Sequence, residues 1–160
     1  LAGFGRVGCN VGEILTRSGK SFVALDADPE IVKRERANGH PVYFGDVRKP
    51  EVLISAGATN AQVIIVTIND SKATEEIVAS LRRTYPKKHI YARGLGLPQC
   101  QSLSDLGANG VVSENLEASL ELARMALTDM GVSDAILLDT IDKFRHRYQS
   151  LIKRTKLDEP

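Results

Sequence analysis

The sequence predicts an α/β fold: a doubly wound parallel sheet of about six strands with a C-terminal helical extension. Three observations carry that expectation. Short apolar runs alternate with amphipathic segments along most of the 160 residues. The run Val63-Ile64-Ile65-Val66 is apolar and β-branched throughout, which suits a strand covered by helices on both faces. A glycine motif, Gly3-Phe4-Gly5-Arg6-Val7-Gly8, stands where an apolar stretch gives way to a helical pattern. The expected architecture is therefore Rossmann-like, with right-handed crossovers between parallel strands.

Taken in order, Leu1-Ala2-Gly3 reads as the end of a strand, so the numbering is expected to begin inside that strand and the chain to belong to something longer. The glycine motif opens a helix whose apolar face is expected at Val7, Val11, Ile14 and Leu15. Phe22–Leu25 is the next strand. Asp28-Pro29 starts a helix, with Asp as cap and Pro in the first turn, and Gly39 follows its end. Pro41–Phe44 is a strand, Pro50 to Gly57 a short helix, and Val63–Val66 the buried strand. Ser71 to Thr84 is helical, with Ile77, Val78 and Leu81 inward. His89–Ala92 is a strand, Gln99 to Leu106 a short helix, and Gly110–Val112 a brief last strand.

Two helices remain. Leu116, Leu120, Ala123 and Leu127 share one helical face, and Gly131 ends that helix. Leu137, Ile141, Phe144, Tyr148 and Leu151 form a second stripe with a spacing of about 3.5 residues. That seam-like spacing places the last helix against a partner subunit, in competition with packing on its own sheet. Residues 1–131 are thus expected to form the Rossmann-type domain, and residues 132–160 a helical extension that crosses to a second copy.

Composition narrows the function. Lysine plus arginine (21) nearly cancels aspartate plus glutamate (20), so no nucleic-acid partner is expected. No stretch approaches the roughly 20 apolar residues of a membrane-spanning helix. A membrane role would come from a partner or from chain outside these residues. Cys9 and Cys100 fit no C-x-x-C spacing, and a reducing compartment is expected, with neither signal nor transit peptide.

The chemistry sits in the glycine motif. Alone, G-x-G-x-x-G is a weak signal, but here it ends a strand and opens a helix. Gly3, Gly5 and Gly8 allow a tight turn, close backbone approach to phosphate and close helix–strand packing. The helix start at Arg6-Val7 offers free N–H groups to a phosphate, and Arg6 adds a charge-assisted contact. Asp26 lies eighteen residues after Gly8, directly after the second apolar run, where its carboxylate accepts from both ribose hydroxyls. Ala27 and Asp28 follow, with no arginine for a 2′-phosphate. AMP, ADP, ATP or NAD(H) are favoured as ligands over NADP(H). Asp28 serves as ligand contact or simply as helix cap. Gly45-Asp46 flank the adenine or form a plain loop turn. Asn69-Asp70 follow the buried strand on the ligand edge, or cap the Ser71 helix. Arg93 faces the same crevice, against the alternative of a solvated side chain.

Catalytic apparatus is not evident. A dehydrogenase needs a substrate domain and a proton-transfer residue, and the sheet uses nearly the whole chain. His40, His89 and His146 read as structural or solvated. Tyr85 and Lys88 are one residue too close for Y-x-x-x-K. There is no Walker A lysine motif, and no histidine–cysteine cluster suggests a metal. Cys9, beside the glycine turn, reads as a small packed residue, with a redox role as the alternative.

Together, Gly3–Gly8, Leu25-Asp26-Ala27-Asp28-Pro29, Tyr43-Phe44-Gly45-Asp46 and Ser55-Ala56-Gly57-Ala58 resemble the RCK/KTN domain, also called TrkA-N-like. Tyr91-Ala92-Arg93, Leu106-Gly107-Ala108 and Glu114–Leu120 look most like the Kef and KEA potassium/proton antiporters within that family. The resemblance implies a non-catalytic regulatory domain on the cytosolic or plastid-stromal face of a membrane antiporter of the same polypeptide. It also implies a homodimer with a crossing helix, and gating by an adenine nucleotide or NAD(H). The glutathione-gated branch carries A-R-A-R-D where this chain has Ala92-Arg93-Gly94-Leu95-Gly96, a departure that speaks against glutathione and for the KEA-like branch. The competing function is the cofactor half of an NAD-dependent oxidoreductase that lacks its substrate domain.

Overall fold

The computed structural model describes residues 1–153. In chain order it runs α1 (Arg6–Arg17), β1 (Ala24–Asp26), α2 (Pro29–Ala37), β2 (Val42–Phe44), α3 (Pro50–Ser55), β3 (Val63–Val66), α4 (Ser71–Thr84), β4 (His89–Gly94), α5 (Leu97–Asp105), β5 (Gly110–Ser113), α6 (Glu114–Asp129) and α7 (Asp134–Lys153). No described helix is long and apolar enough to cross a membrane.

Every strand pairing is parallel. Ala24 lies opposite Val42, Ile64 opposite Ile90, and Ala92 opposite Val111. The pair β1–β2 and the triple β3–β4–β5 are joined through Ala2, which bridges Leu25 on one side and Val66 on the other. The spatial order is β2-β1-Ala2-β3-β4-β5. Among the described residues the sheet thus has five strands and one single-residue central bridge, in keeping with the expected count of about six. From Ala2 the chain winds first to one side and later to the other. Such a reversal opens a crevice at the carboxyl ends of the central strands.

Alternation along the strands feeds two cores. Ala2, Leu25, Val66, Ile77, Leu81, Ile90 and Leu103 pack in one cluster; Phe4, Ala24, Val32 and Val42 form another. β2 is an edge strand, and it leaves Tyr43 and Phe44 exposed.

Three helices differ in part from their predicted faces. In α1 the fully buried positions are Gly8 and Gly12; Val7, Val11 and Leu15 of the expected face are half-buried, and Ile14 is exposed. A Cβ at Gly12 would come within 2.8 Å of the Phe4 ring, so the helix approaches the sheet through missing side chains. Apolar periodicity registers side chains and passes over glycine contacts. In α6 and α7 the predicted stripes split. Leu137 and Ile141 bury against Leu116 and Leu120 of their own chain, with Leu127 and Tyr148 alongside, whereas Phe144 and Ala123 are exposed. The inner part of the α7 stripe is therefore satisfied within the chain, on α6. Residues 154–160 of the predicted extension lie outside the described residues.

Candidate functional site

A cleft of about 1130 Å³ opens where the sheet order reverses. Its walls come from the glycine turn, the ends of β1 and β3, and the starts of α2 and α4. The lining includes Gly3, Gly5, Arg6, Val7, Asp26, Ala27, Asp28, Asp46, Asn69, Asp70 and Arg93. The volume is of the size that holds ligands larger than a single sugar or phosphate.

The glycine turn is built as its spacing requires. Gly3 adopts φ 92°, which L side chains rarely take. At Gly5 a Cβ would meet nothing within 4 Å, so its backbone faces open space at the start of α1. Gly8 is different. A Cβ there would sit 2.4 Å from the Gly3 carbonyl oxygen and 2.8 Å from Thr67 Oγ1, and Gly8 does not line the cleft. Its role is packing: it lets α1 close on the turn and on β3. Thr67 Oγ1 donates to the Gly3 carbonyl at 2.9 Å, which fixes the turn from below.

Asp26 ends β1 and faces the turn. Its Oδ2 accepts from the Phe4 N–H at 2.6 Å and its Oδ1 accepts from the Asp28 N–H at 2.9 Å. A carboxylate has about four acceptor positions, so lone pairs remain on both oxygens for a ligand. The carboxylate is thus clamped to the glycine turn before any ligand arrives.

Asp28 caps α2 by accepting from the Glu30 and Ile31 N–H groups, and Asp70 caps α4 by accepting from the Ala73 N–H at 2.7 Å. Both side chains also line the cleft. Asp46 forms a fork with Arg48, at 2.9 and 2.8 Å, and Arg48 holds its carboxyl below the usual carboxylate range. Gly45 stands behind this loop rather than on the cleft: a Cβ there would meet Val52 at 2.6 Å. Of its two expected roles, the close packing on α3 accords with the loop turn.

Arg93 is neither solvated nor free. Its guanidinium donates to Asn69 Oδ1 at 2.6 Å and pairs with Glu114 Oε2 at 2.7 Å. This network ties the end of β3 to β4 and to the first turn of α6. Sequence reading missed several lining residues, namely Arg34, Arg48, Thr67, Lys72, Glu76 and Glu114. Arg34, Lys72 and Glu76 sit on helix faces that look solvated in one dimension. Glu114 lies within a motif that carried the family likeness but had not been assigned to the site.

The start of α1 does not activate Cys9, in line with its reading as a small packed residue. Burial, then the nearby Glu35 carboxylate, raises its thiol pKa above the ordinary value. No histidine–cysteine cluster was visible in the sequence, yet folding brings Cys9, Glu35 and His40 together, with donor atoms all within 4.8 Å of one another.

The TrkA-N domain family model matches residues 1–114. K(+) efflux antiporter 3, chloroplastic, of Arabidopsis thaliana is 34% identical over 140 residues, covering 82% of this chain and 18% of that protein. The glutathione-regulated potassium-efflux system protein KefC of Cronobacter sakazakii is 32% identical over 152 residues, covering 95% of this chain and 24% of that protein. The chain therefore spans about a fifth to a quarter of these relatives. Among solved structures, the Shewanella denitrificans Kef CTD in AMP-bound form superposes with a TM-score of 0.83 at 29% identity, covering 98% of this chain and 96% of that one. The GsuK channel bound to NAD superposes at 0.63 with 32% identity, covering 70% of this chain and 20% of that one. A doubly wound sheet with its glycine turn, a family match across most of the chain, and antiporter relatives above 30% identity together place this chain in the TrkA-N domain family.

Proposed function

We propose that this chain is a nucleotide-sensing regulatory domain that gates a potassium/proton antiporter within a longer polypeptide. The observation that carries the reading is the pre-clamped Asp26 carboxylate facing an open Gly5 backbone across the cleft. A phosphate fits at the bare amides of Gly5, Arg6 and Val7, where the helix dipole and Arg6 favour negative charge. The ribose diol then reaches the remaining lone pairs of Asp26. Asp28 and Asp46 stand on the outer wall toward a base, and Asn69, Asp70 and Arg93 stand toward the second half of a dinucleotide. The ligand is AMP, ADP, ATP or NAD(H); the Asp26 carboxylate repels a 2′-phosphate, which disfavours NADP(H). An AMP-bound relative and an NAD-bound relative of the same fold support both ligand classes.

Gating follows if the ligand binds two states with different affinity. The Arg93 network links the cleft wall to the first turn of α6. Beyond it, Leu122 and Met125 of α6, Met130 at its end, and Ile136, Leu138 and Phe144 of α7 are exposed apolar side chains, and Phe144 continues the α7 stripe. Those side chains support a homodimer whose geometry the nucleotide adjusts, on the cytosolic or plastid-stromal side of the antiporter's membrane. Calorimetric titration with AMP, ADP, ATP, NADH and NADPH tests the reading. Saturable binding of an adenine nucleotide, lost in Asp26→Ala, is the expected result. A flat titration against all five ligands overturns it.

A further inference from the structure

Outside the nucleotide cleft, three donor side chains converge from three elements. Cys9 lies in the first turns of α1, Glu35 near the end of α2, and His40 in the turn before β2. Cys9 Sγ is 3.8 Å from Glu35 Oε2, and His40 Nε2 is 3.9 Å from the same oxygen. Metal–sulfur bonds of about 2.3 Å and metal–nitrogen or metal–oxygen bonds of about 2.0–2.1 Å put tetrahedral neighbours roughly 3.3–3.7 Å apart. The Cys9–Glu35 edge is therefore about 0.3 Å and the Glu35–His40 edge about 0.5 Å longer than a bound ion needs, and all three donor atoms lie within 4.8 Å of one another.

We propose that Cys9, Glu35 and His40 form a binding site for a zinc-class divalent cation, separate from the nucleotide cleft, with water as the fourth ligand.

The donor set carries the choice of ion. A thiolate with an imidazole suits zinc-class ions, and the hard oxygen-seeking ions Mg²⁺ and Ca²⁺ are poor matches for it. Thiolate and carboxylate together neutralise a double positive charge. Glu35 is only 4% exposed, so its carboxylate is a buried charge that needs compensation. Arg34 supplies part of that by donating to Oε1 at 2.7 Å, which leaves Oε2 for the ion. Metal-bound carboxylates commonly carry such an orienting hydrogen bond. Arg34 also repels a cation, but it is largely exposed and its charge is screened by water. Asn38 Nδ2, at 3.3 Å from Oε2, gives way to the ion. The Phe4 ring, 5.4 Å from the imidazole, holds His40 in place. Cys9 and His40 are only half-buried, so the ion has a path in.

Binding is a simple exchange. The Sγ–H bond of Cys9 breaks, its proton passes to solvent, and the Sγ–metal bond forms, with no change of oxidation state. The bound ion ties α1, whose start carries the glycine turn, to α2, whose cap is Asp28. The N–H of Cys9 donates to the Gly5 carbonyl at 2.9 Å, so the metal sits one hydrogen bond from the turn.

Reduced, chelator-stripped protein titrated with Co(II) and then Zn(II) provides the test. Expected are one cobalt per chain, a near-ultraviolet thiolate-to-cobalt band, and its displacement by zinc. The band disappears in Cys9→Ser and survives in Cys100→Ser, and His40→Gln weakens binding at least about tenfold. No thiolate band, a band that survives Cys9→Ser, or unchanged affinity in His40→Gln overturns the proposal. Alkylation of wild-type Cys9, read by mass spectrometry, needs no variant. Zinc is expected to slow it at least tenfold, and an unchanged rate refutes the site.

Discussion

Alanine at Gly5 and alanine at Gly8 separate ligand binding from packing within one short turn. At Gly5 the added Cβ meets no atom within 4 Å, and φ is −66°, which any residue adopts. Alanine is a poorer helix cap than glycine by a fraction of about 1 kcal/mol, and the entropy lost from the unfolded chain offsets that by about 0.4–1 kcal/mol. Stability is therefore expected to stay within about 0.5 kcal/mol of wild type. The methyl group projects into the space a phosphate would occupy. Loss of one charged hydrogen bond, worth about 1.5–3 kcal/mol, weakens AMP roughly ten- to a hundredfold. At Gly8 the same methyl lands 2.4 Å from the Gly3 oxygen, so α1 must back away by more than half an ångström. Overpacking of that kind costs about 1–3 kcal/mol, and about 2 kcal/mol lowers Tm by roughly 4–8 °C in a domain of this size. Paired calorimetry and thermal denaturation read both effects. If Gly5→Ala binds AMP as tightly as wild type while folded, the phosphate does not sit at the glycine turn and the site assignment fails.

Other outcomes follow from the same geometry. Asp26→Ala leaves the N–H of the fully buried Phe4 without its acceptor, so it is expected to cost about 1–3 kcal/mol in denaturant unfolding as well as nucleotide affinity. Leu137→Ala removes the α7 anchor on Leu116 and Leu120. A loss of about 2–4 kcal/mol, with faster hydrogen exchange concentrated in α7, is the signature of packing within the chain. Uniform exchange along the whole domain contradicts it. The Glu35 carboxyl is held below its ordinary pKa of 4.5, chiefly by the Arg34 hydrogen bond. A depressed carboxylate stabilises the fold above pH 4.5, and that contribution is lost as pH falls through the lower folded value. Unfolding between pH 3 and 6 should therefore show a stability decline below pH 4.5 that is shallower in Glu35→Gln, and identical slopes refute the assignment.

Much of the element order was legible because each element carries its own local chemistry. Ser71–Thr84 was readable to the residue from its apolar face, and of the two roles left open for Asp70, cap and cleft contact, the structure shows the cap on a residue that also lines the cleft. Asp28-Pro29 announced both a cap and a helix start, and the structure shows that cap lining the cleft as well. The glycine fingerprint and Asp26 stood out because two distant pieces had the right separation. Gly45 stayed open between two roles in the sequence because a glycine after a strand looks the same whether it faces a ligand or Val52. Arg34, Lys72 and Arg48 were missed because a charged residue on a helix or loop is solvated by default.

The sequence by itself determined the alternation of strands and helices, the turn that bares backbone amides, and the carboxylate that faces it. Those features depend on neighbours a few residues apart or on a single fixed loop-to-strand spacing. Only the tertiary structure decided which side of α1 is inward, since Gly8 and Gly12 pack through the side chains they lack. It alone joined Arg93 to Asn69 and Glu114, and Cys9 to Glu35 and His40. Those contacts link residues far apart in sequence, and their distances are set when helices close onto the sheet, not by any local propensity of the chain.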